Sequence, residues 1–359
     1  MSEAPSAVQA AVKAVAARLG GTTGVAARNL ASGAGVELNA GEAFPLASVF
    51  KIPVMVEVMR QADAGALRLD ERLTLRESDK SPGSTLIHCQ EGLAPTVRDL
   101  IYLMITLSDN TATDMLWRRV GLESVNRTMR DLGLATIDCT MPNREYFLFE
   151  TGLGSEWAGL SGPDTVARWR EFEARDGREA VLARLLEEHE RLTGAAFQHS
   201  WDQRWGYGDE RDFDDAFAID QALDNTGSPR DVMELLGMIA EARCASAPSC
   251  RLMVEIMARQ EWREKIPAGL PDGLFVANKT GGVAGTSNDA AIICAPGHEP
   301  MVIVVFCKGL DREQTRRAPT AIAEVAGLLY EHLGGRPPVG DAGDRRRGPR
   351  TVCDDRGET

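Results

Sequence analysis

The chain has 359 residues, 43% of them hydrophobic and 26% charged, and 40 Lys+Arg against 53 Asp+Glu give a formal charge of −13 at pH 7. This composition excludes a chain disordered throughout, and the acidity argues against a nucleic-acid footprint, which needs a basic face. No stretch approaches the roughly 18 consecutive apolar residues of a membrane helix, so no membrane partner is expected.

Met1 to Gly20 lacks a charged lead and an unbroken apolar core, because Lys13 and Arg18 interrupt its hydrophobic positions. It does not read as a signal peptide, and a cytoplasmic location is expected. Val8, Val12, Val15 and Leu19 instead recur at helical spacing and stop at Gly20-Gly21. Gly24 to Leu30 and Val36 to Asn39 are strand-compatible and are joined by Ala31 to Gly35 as a hairpin turn. From Phe44 to about Arg243 helical patterns dominate: Ser48 to Ala64, Thr96 to Leu107, Thr111 to Val120, Ser124 to Leu132, Glu179 to Leu192 and Pro229 to Arg243. Strand-like pieces return at Leu274 to Ala277, Asp289 to Ala295 and Met301 to Cys307, before a closing helix at Pro319 to Leu333.

Both ends of the chain therefore share a few antiparallel strands and a terminal helix around a helical middle. The expected fold is α/β (α+β), with a sheet domain at 1–43 plus 260–335 and an inserted all-helical domain at 44–259. The segment 336–359, rich in Pro, Gly, Arg and Asp, reads as a disordered tail. Residues 155–224 carry 17 acidic and 8 basic residues, a net −9, with four of the six tryptophans: Trp157, Trp169, Trp201 and Trp205. Such a segment reads either as a helical insertion with a solvated acidic face or as a lid with its aromatics over a pocket. The seven cysteines, an odd number without C-x-x-C spacing, read as reduced thiols rather than a disulfide framework or a zinc site. Neither a metal nor another cofactor is expected.

Three short motifs occur in one order: Ser48-Val49-Phe50-Lys51 opening a helix, Ser108-Asp109-Asn110 between two helices, and Lys279-Thr280-Gly281 ending a strand. The i, i+3 placement puts the Lys51 amine on the same helix face as the Ser48 hydroxyl, which needs a base to act as a nucleophile. Lys51 must be neutral part of the time, and burial beside another cation achieves that. At a helix start the Ser48 N–H also points where a developing oxyanion can be held.

In order and context this set resembles that of class A β-lactamases and penicillin-binding proteins. The resemblance covers roughly residues 20–150 and 226–333. It implies Ser48, Lys51, Ser108 and Asn110 as catalytic residues, with Ser108 relaying a proton to the leaving group and Asn110 orienting Lys51 and the substrate amide. It further implies that Lys279 and Thr280 hold a substrate carboxylate and that the N–H of Gly282 completes the oxyanion hole. A glycine at that position, Gly282, is read as letting the substrate lie against the strand edge.

Two departures bear on function. Class A β-lactamases carry a water-activating glutamate in an E-x-x-L-N motif. Here Glu145 and Leu148 stand near that place, but Phe149 replaces the asparagine, so Glu145 is read either as that base or as a surface carboxylate. The second departure is the acidic segment beside the expected site, together with the missing leader. The expected function is an intracellular active-site-serine transacylase, esterase or amidase working through an acyl-Ser48 intermediate, in secondary metabolism as some relatives of this fold do. Its partners are a small-molecule acyl donor and water or an amine acceptor. A β-lactam hydrolase is the alternative, followed by a non-catalytic binding module.

Overall fold

The computed structural model describes residues 7–205, 213–294 and 300–335. The tail expected at 336–359, and most of the turn at 296–300, lie outside the described residues. Helix α1 (Ala7–Leu19) buries Val8, Val12, Val15 and Leu19, the four positions whose spacing announced it. It leads into β1 (Thr22–Asn29) and β2 (Gly35–Leu38), a hairpin, and then β3 (Phe44–Pro45), which pairs only with β4 (Thr226–Gly227) across the helical region. The main sheet is completed by β5 (Phe275–Val283), β6 (Thr286–Cys294) and β7 (Met301–Lys308), all antiparallel, in the order β2-β1-β7-β6-β5.

Strand β7 is apolar from Met301 to Cys307 because both its faces are covered there. Val302, Val304 and Phe306 join the core of the helical region, while Met301, Ile303, Val305 and Cys307 join the core formed with α1 and the last helix. The helices between the sheet halves are α2 (Lys51–Asp63), α3 (Val97–Thr106), α4 (Asn110–Val120), α5 (Leu122–Asp131) and α6 (Asn143–Glu150). They continue with α7 (Gly162–Asp176), α8 (Arg178–Glu188), α9 (Gly194–Trp205), α10 (Phe213–Leu223), α11 (Pro229–Ala240) and α12 (Ala247–Met257). Helix α13 (Arg312–His332) closes the described chain. In α2 nine consecutive residues from Lys51 to Met59 are buried, so this helix is enclosed on every side rather than amphipathic.

The structure corrects several sequence expectations. Strand β5 runs on through Lys279-Thr280-Gly281 instead of ending there. Helix α13 begins at Arg312, capped reciprocally by Asp311 and Gln314, and continues through Pro319, which the sequence suggested as its start. The segment 143–150, outside the helical patterns read from the sequence, is helical. Residues 155–224 contain four helices, α7 to α10, as the reading of a helical insertion has it, and their apolar side chains join those of α6 and Trp157 in a third cluster. Cys89, Cys139, Cys244, Cys250 and Cys307 are free thiols, but Cys294 is disulfide-bonded, so the all-reduced reading fails at that residue.

Candidate active site

Ser48 lies in a single 3-10 turn, Ala47–Phe50, that runs straight into α2. Ala47 before it has φ 44°, a left-handed conformation that costs a residue with a Cβ roughly 1–2 kcal/mol. Neighbouring bonds hold it there. The Ala47 N–H donates to Asp224 Oδ2 at 2.6 Å, and Asn288 Nδ2 donates to the carbonyls of Pro45 at 2.7 Å and Leu46 at 3.2 Å.

Strand β5 closes on this turn at Gly281. A Cβ there would stand 2.6 Å from the Leu46 carbonyl oxygen and 3.2 Å from the Ser48 nitrogen. Gly281 therefore serves the approach of strand to nucleophile turn. Gly282, where a Cβ would make an ordinary contact 3.8 Å from the Thr286 carbonyl oxygen, lines a cavity of about 400 Å³ together with Ser48 and Asn110.

Behind that cavity the other candidates converge. Lys51 is fully buried, and its Nζ donates to the Ser108 carbonyl at 2.6 Å, Asn110 Oδ1 at 2.7 Å and Ser108 Oγ at 3.1 Å. Burial lowers its pKa to about 7, against the opposing pull of the Asp109 and Asp114 charges. Lys279, also fully buried, donates to Thr280 O at 2.8 Å and to the same Ser108 Oγ at 3.1 Å; burial and then the Lys51 charge hold it well below the ordinary lysine value. The Ser108 hydroxyl thus stands between two amines. Ser108 itself has φ 61°, and Asp109 fixes the loop by capping α4 through Ala112 N and accepting from Thr85 N and Leu86 N. Asn110 Nδ2 donates to Pro82 O at 2.8 Å, which leaves its oxygen turned to Lys51. Thr280 is buried next to Lys279 on β5. All seven sequence candidates are therefore gathered around one cavity or immediately behind it.

Glu145 is not among them. On α6, positions 143, 146, 147 and 150 share one helix face, and Asn143, Tyr146, Phe147 and Glu150 line the cavity. Glu145 lies off that face, buried, with Asp114, Arg118 and Arg144 as its charged neighbours; burial first and then Asp114 raise its pKa to about 7. It is neither a surface carboxylate nor a residue of the cavity wall. Sequence reasoning missed Glu150, Asp220 and Asp224, three carboxyls that do line it. The i, i+3, i+4, i+7 spacing of Asn143, Tyr146, Phe147 and Glu150 was the available signal. The tryptophans divide: Trp157 and Trp169 pack into the insertion's own cluster, Trp201 lines the cavity, and the side chain of Trp205 lies outside the described residues.

Among the described residues no group of three or more His, Cys, Asp or Glu is placed to hold a metal ion, and no helix is long and apolar enough to cross a membrane. The sequence model of the Beta-lactamase enzyme family matches residues 7–333. A carbapenem-hydrolyzing β-lactamase of Klebsiella oxytoca is 25% identical over 319 residues, 88% of this chain and 85% of that protein. A β-lactamase of Streptomyces lavendulae is 29% identical over 317 residues, 87% of this chain and 81% of that protein. Among solved structures, a β-lactamase from Sphaerobacter thermophilus superposes with a TM-score of 0.65 at 26% identity, covering 92% of this chain and 98% of that one. The penicillin-binding protein PBP-A shares the fold with a TM-score of 0.67 at 23% identity, covering 91% and 96%.

Proposed function

The chain belongs to the β-lactamase enzyme family and is a serine hydrolase of the β-lactamase-like superfamily; from this we propose that it transfers acyl groups through an ester on Ser48, as a transacylase, esterase or amidase. The observation that carries the reading is the hydrogen-bonded unit Lys51–Ser108–Asn110 directly behind the cavity that Ser48 lines. Ser48 Oγ attacks the acyl carbon while Lys51 Nζ takes its proton. The proton returns to the leaving nitrogen or oxygen through Ser108, whose hydroxyl touches both Lys51 and Lys279. Water or an amine then accepts the acyl group from Ser48.

Transfer to an amine is favoured over hydrolysis because Glu145, the one candidate for a water-activating base read from the sequence, is absent from the cavity wall, and an amine acceptor needs less activation than water. A role in secondary metabolism belongs to the same reading. So does a cytoplasmic setting, supported by the five free thiols among the described residues and opposed by the disulfide at Cys294; cell fractionation decides it. Incubation with activated esters is expected to add one acyl mass to the protein, and to none of the Ser48→Ala variant. Absence of an adduct with every ester, amide and β-lactam tried would remove the proposal. The second reading, β-lactam hydrolysis, is favoured by the names of the relatives. Rapid multiple turnover of a chromogenic cephalosporin would establish it, and acylation without turnover would reject it.

A further inference from the structure

We propose that the part of the Ser48 cavity lined by Glu150 and Asp220 is a subsite for a protonated amine carried by the substrate. This inference rests on the acyl-transfer reading of the same cavity. The wall is made by α6 and α10, which bring Glu150, Asp220 and Asp224 onto the cavity surface although each is at most 8% exposed. Among the described residues no lysine or arginine pairs with any of the three, and Glu150 instead lies against the carboxyl of Asp220. Two carboxyls in contact without a cation must share a proton or wait for a positive partner.

Their fixed partners leave room for one. Asp220 accepts from Ala284 N at 2.6 Å and from the Tyr146 hydroxyl, and Asp224 accepts from Ala47 N and Asn225 N, so both are held rigidly by the frame of the site. Glu150, at the end of the α6 face, is the carboxyl without a backbone donor among its partners. Around it stand Tyr146, Phe147 and Trp201. Aromatic faces beside carboxylates are the surroundings that stabilise an organic ammonium, through ring quadrupoles as well as charge. Arg312, which also lines the cavity, carries its guanidinium 4.9 Å from the centre of the Phe213 ring. Lys51 and Lys279 do not line the cavity.

The arrangement takes up the net −9 of the insertion in a specific way. Among the described acidic residues of the insertion, Asp220 and Asp224 reach the cavity. Long-range attraction by the acidic segment would be screened by salt, whereas a desolvated contact with Glu150 and Asp220 would persist.

The test uses paired p-nitrophenyl esters of one linear acid, ending in an ammonium, in its neutral acetamide or in a carboxylate, with Ser48 acylation followed by p-nitrophenol release. The ammonium ester is expected to acylate at least tenfold faster than the acetamide at low concentration, a ratio that holds in 0.5 M salt. Glu150→Gln and Asp220→Asn are expected to bring the ratio towards one, while Glu171→Gln, on the exposed face of α7, leaves it unchanged. Equal rates in the unaltered enzyme, preference for the carboxylate, or a preference that survives both cavity variants would overturn the subsite. If either variant does not fold, competition by n-butylammonium but not n-butanol against the acetamide ester decides the matter in the unaltered protein. Should no ester acylate Ser48, the acyl-transfer reading falls by itself. The subsite is then judged by thermal shift with n-butylammonium against n-butanol, and equal shifts reject it.

Discussion

At the scale of single residues, the proposed acyl transfer turns on a lysine whose pKa burial lowers into the range of a usable base. Lys51 spends its three donor directions on Ser108 and Asn110, which accept equally from an ammonium, yet the loss of water lowers its pKa to about 7. A base works only when it has lost its proton. Acylation of Ser48 by a neutral ester is therefore expected to rise with pH through a limb near 7 and to flatten above it. Lys51→Met should lower the acylation rate by about 10²–10⁴ and abolish that limb. A limb that persists near 7 in Lys51→Met would assign the base to another group. Asp224 acts beside it as a positioning residue, since its carboxylate takes the N–H of the strained Ala47 and so fixes where Ser48 points. Asp224→Ala leaves that N–H buried without a partner, and should slow acylation while costing about 1–3 kcal/mol of stability. Asp224→Asn, which keeps an accepting oxygen, should restore most of both.

At the scale of elements, two approaches set the site: β5 against the Ser48 turn, and α6 across the cavity. Gly281→Ala would drive a Cβ into the Leu46 carbonyl. Neither partner is a flexible side-chain end, so a loss of about 1–3 kcal/mol in denaturant unfolding is expected, with acylation falling in the same variant. An alanine variant of unaltered stability would show that the strand and turn have slack. On α6, Glu145→Gln is expected to leave deacylation unchanged, because that side chain is not on the cavity face; accumulation of acyl-enzyme in this variant would give Glu145 back the role of a base. The motif residues were legible because their chemistry demands particular residue types at fixed spacing, and Ser48, Lys51, Ser108, Asn110 and Lys279 do meet. Terminal helix α1 and strand β7 were legible because their apolar periodicity matches the faces they bury. Helix α6 was not. Its eight residues, flanked by Pro142 and a Thr151-Gly152 end, are too few for periodicity to stand out from a loop, and what holds the helix is packing against α4 and the insertion cluster. The same tertiary packing extended α13 back through Pro319, against the usual reading of proline as a helix start.

At the scale of the whole molecule, the active site is a concentration of buried ionisable groups in a chain with a formal charge of −13, and stability should carry its signature. Burial raises Asp220 to about 7, Asp224 to about 8 and Glu145 to about 7, and raises Glu150 well above its ordinary value. Between their unfolded values near 4 and these folded values the native chain binds more protons than the unfolded one. Stability therefore falls as pH rises through that window, at about 1.4 kcal/mol per pH unit for each group at full effect. Lys51, lowered to about 7, and Lys279, lowered well below the ordinary value, act in the opposite sense: above their folded values the unfolded chain binds more protons, so stability rises with pH. Between about pH 5 and 7 the carboxyls outnumber the lysines that have begun to titrate, and the midpoint of thermal unfolding is expected to fall across this range. Asp220→Asn removes one titrating group and should flatten the slope without reversing it. A bound organic ammonium should do the same from the other side, because it stabilises the ionised carboxyls: n-butylammonium is expected to raise the unfolding midpoint more at pH 7.5 than at pH 5.5. Unfolding midpoints that rise from pH 5 to 7 would mean that these carboxyls are already ionised in the native state.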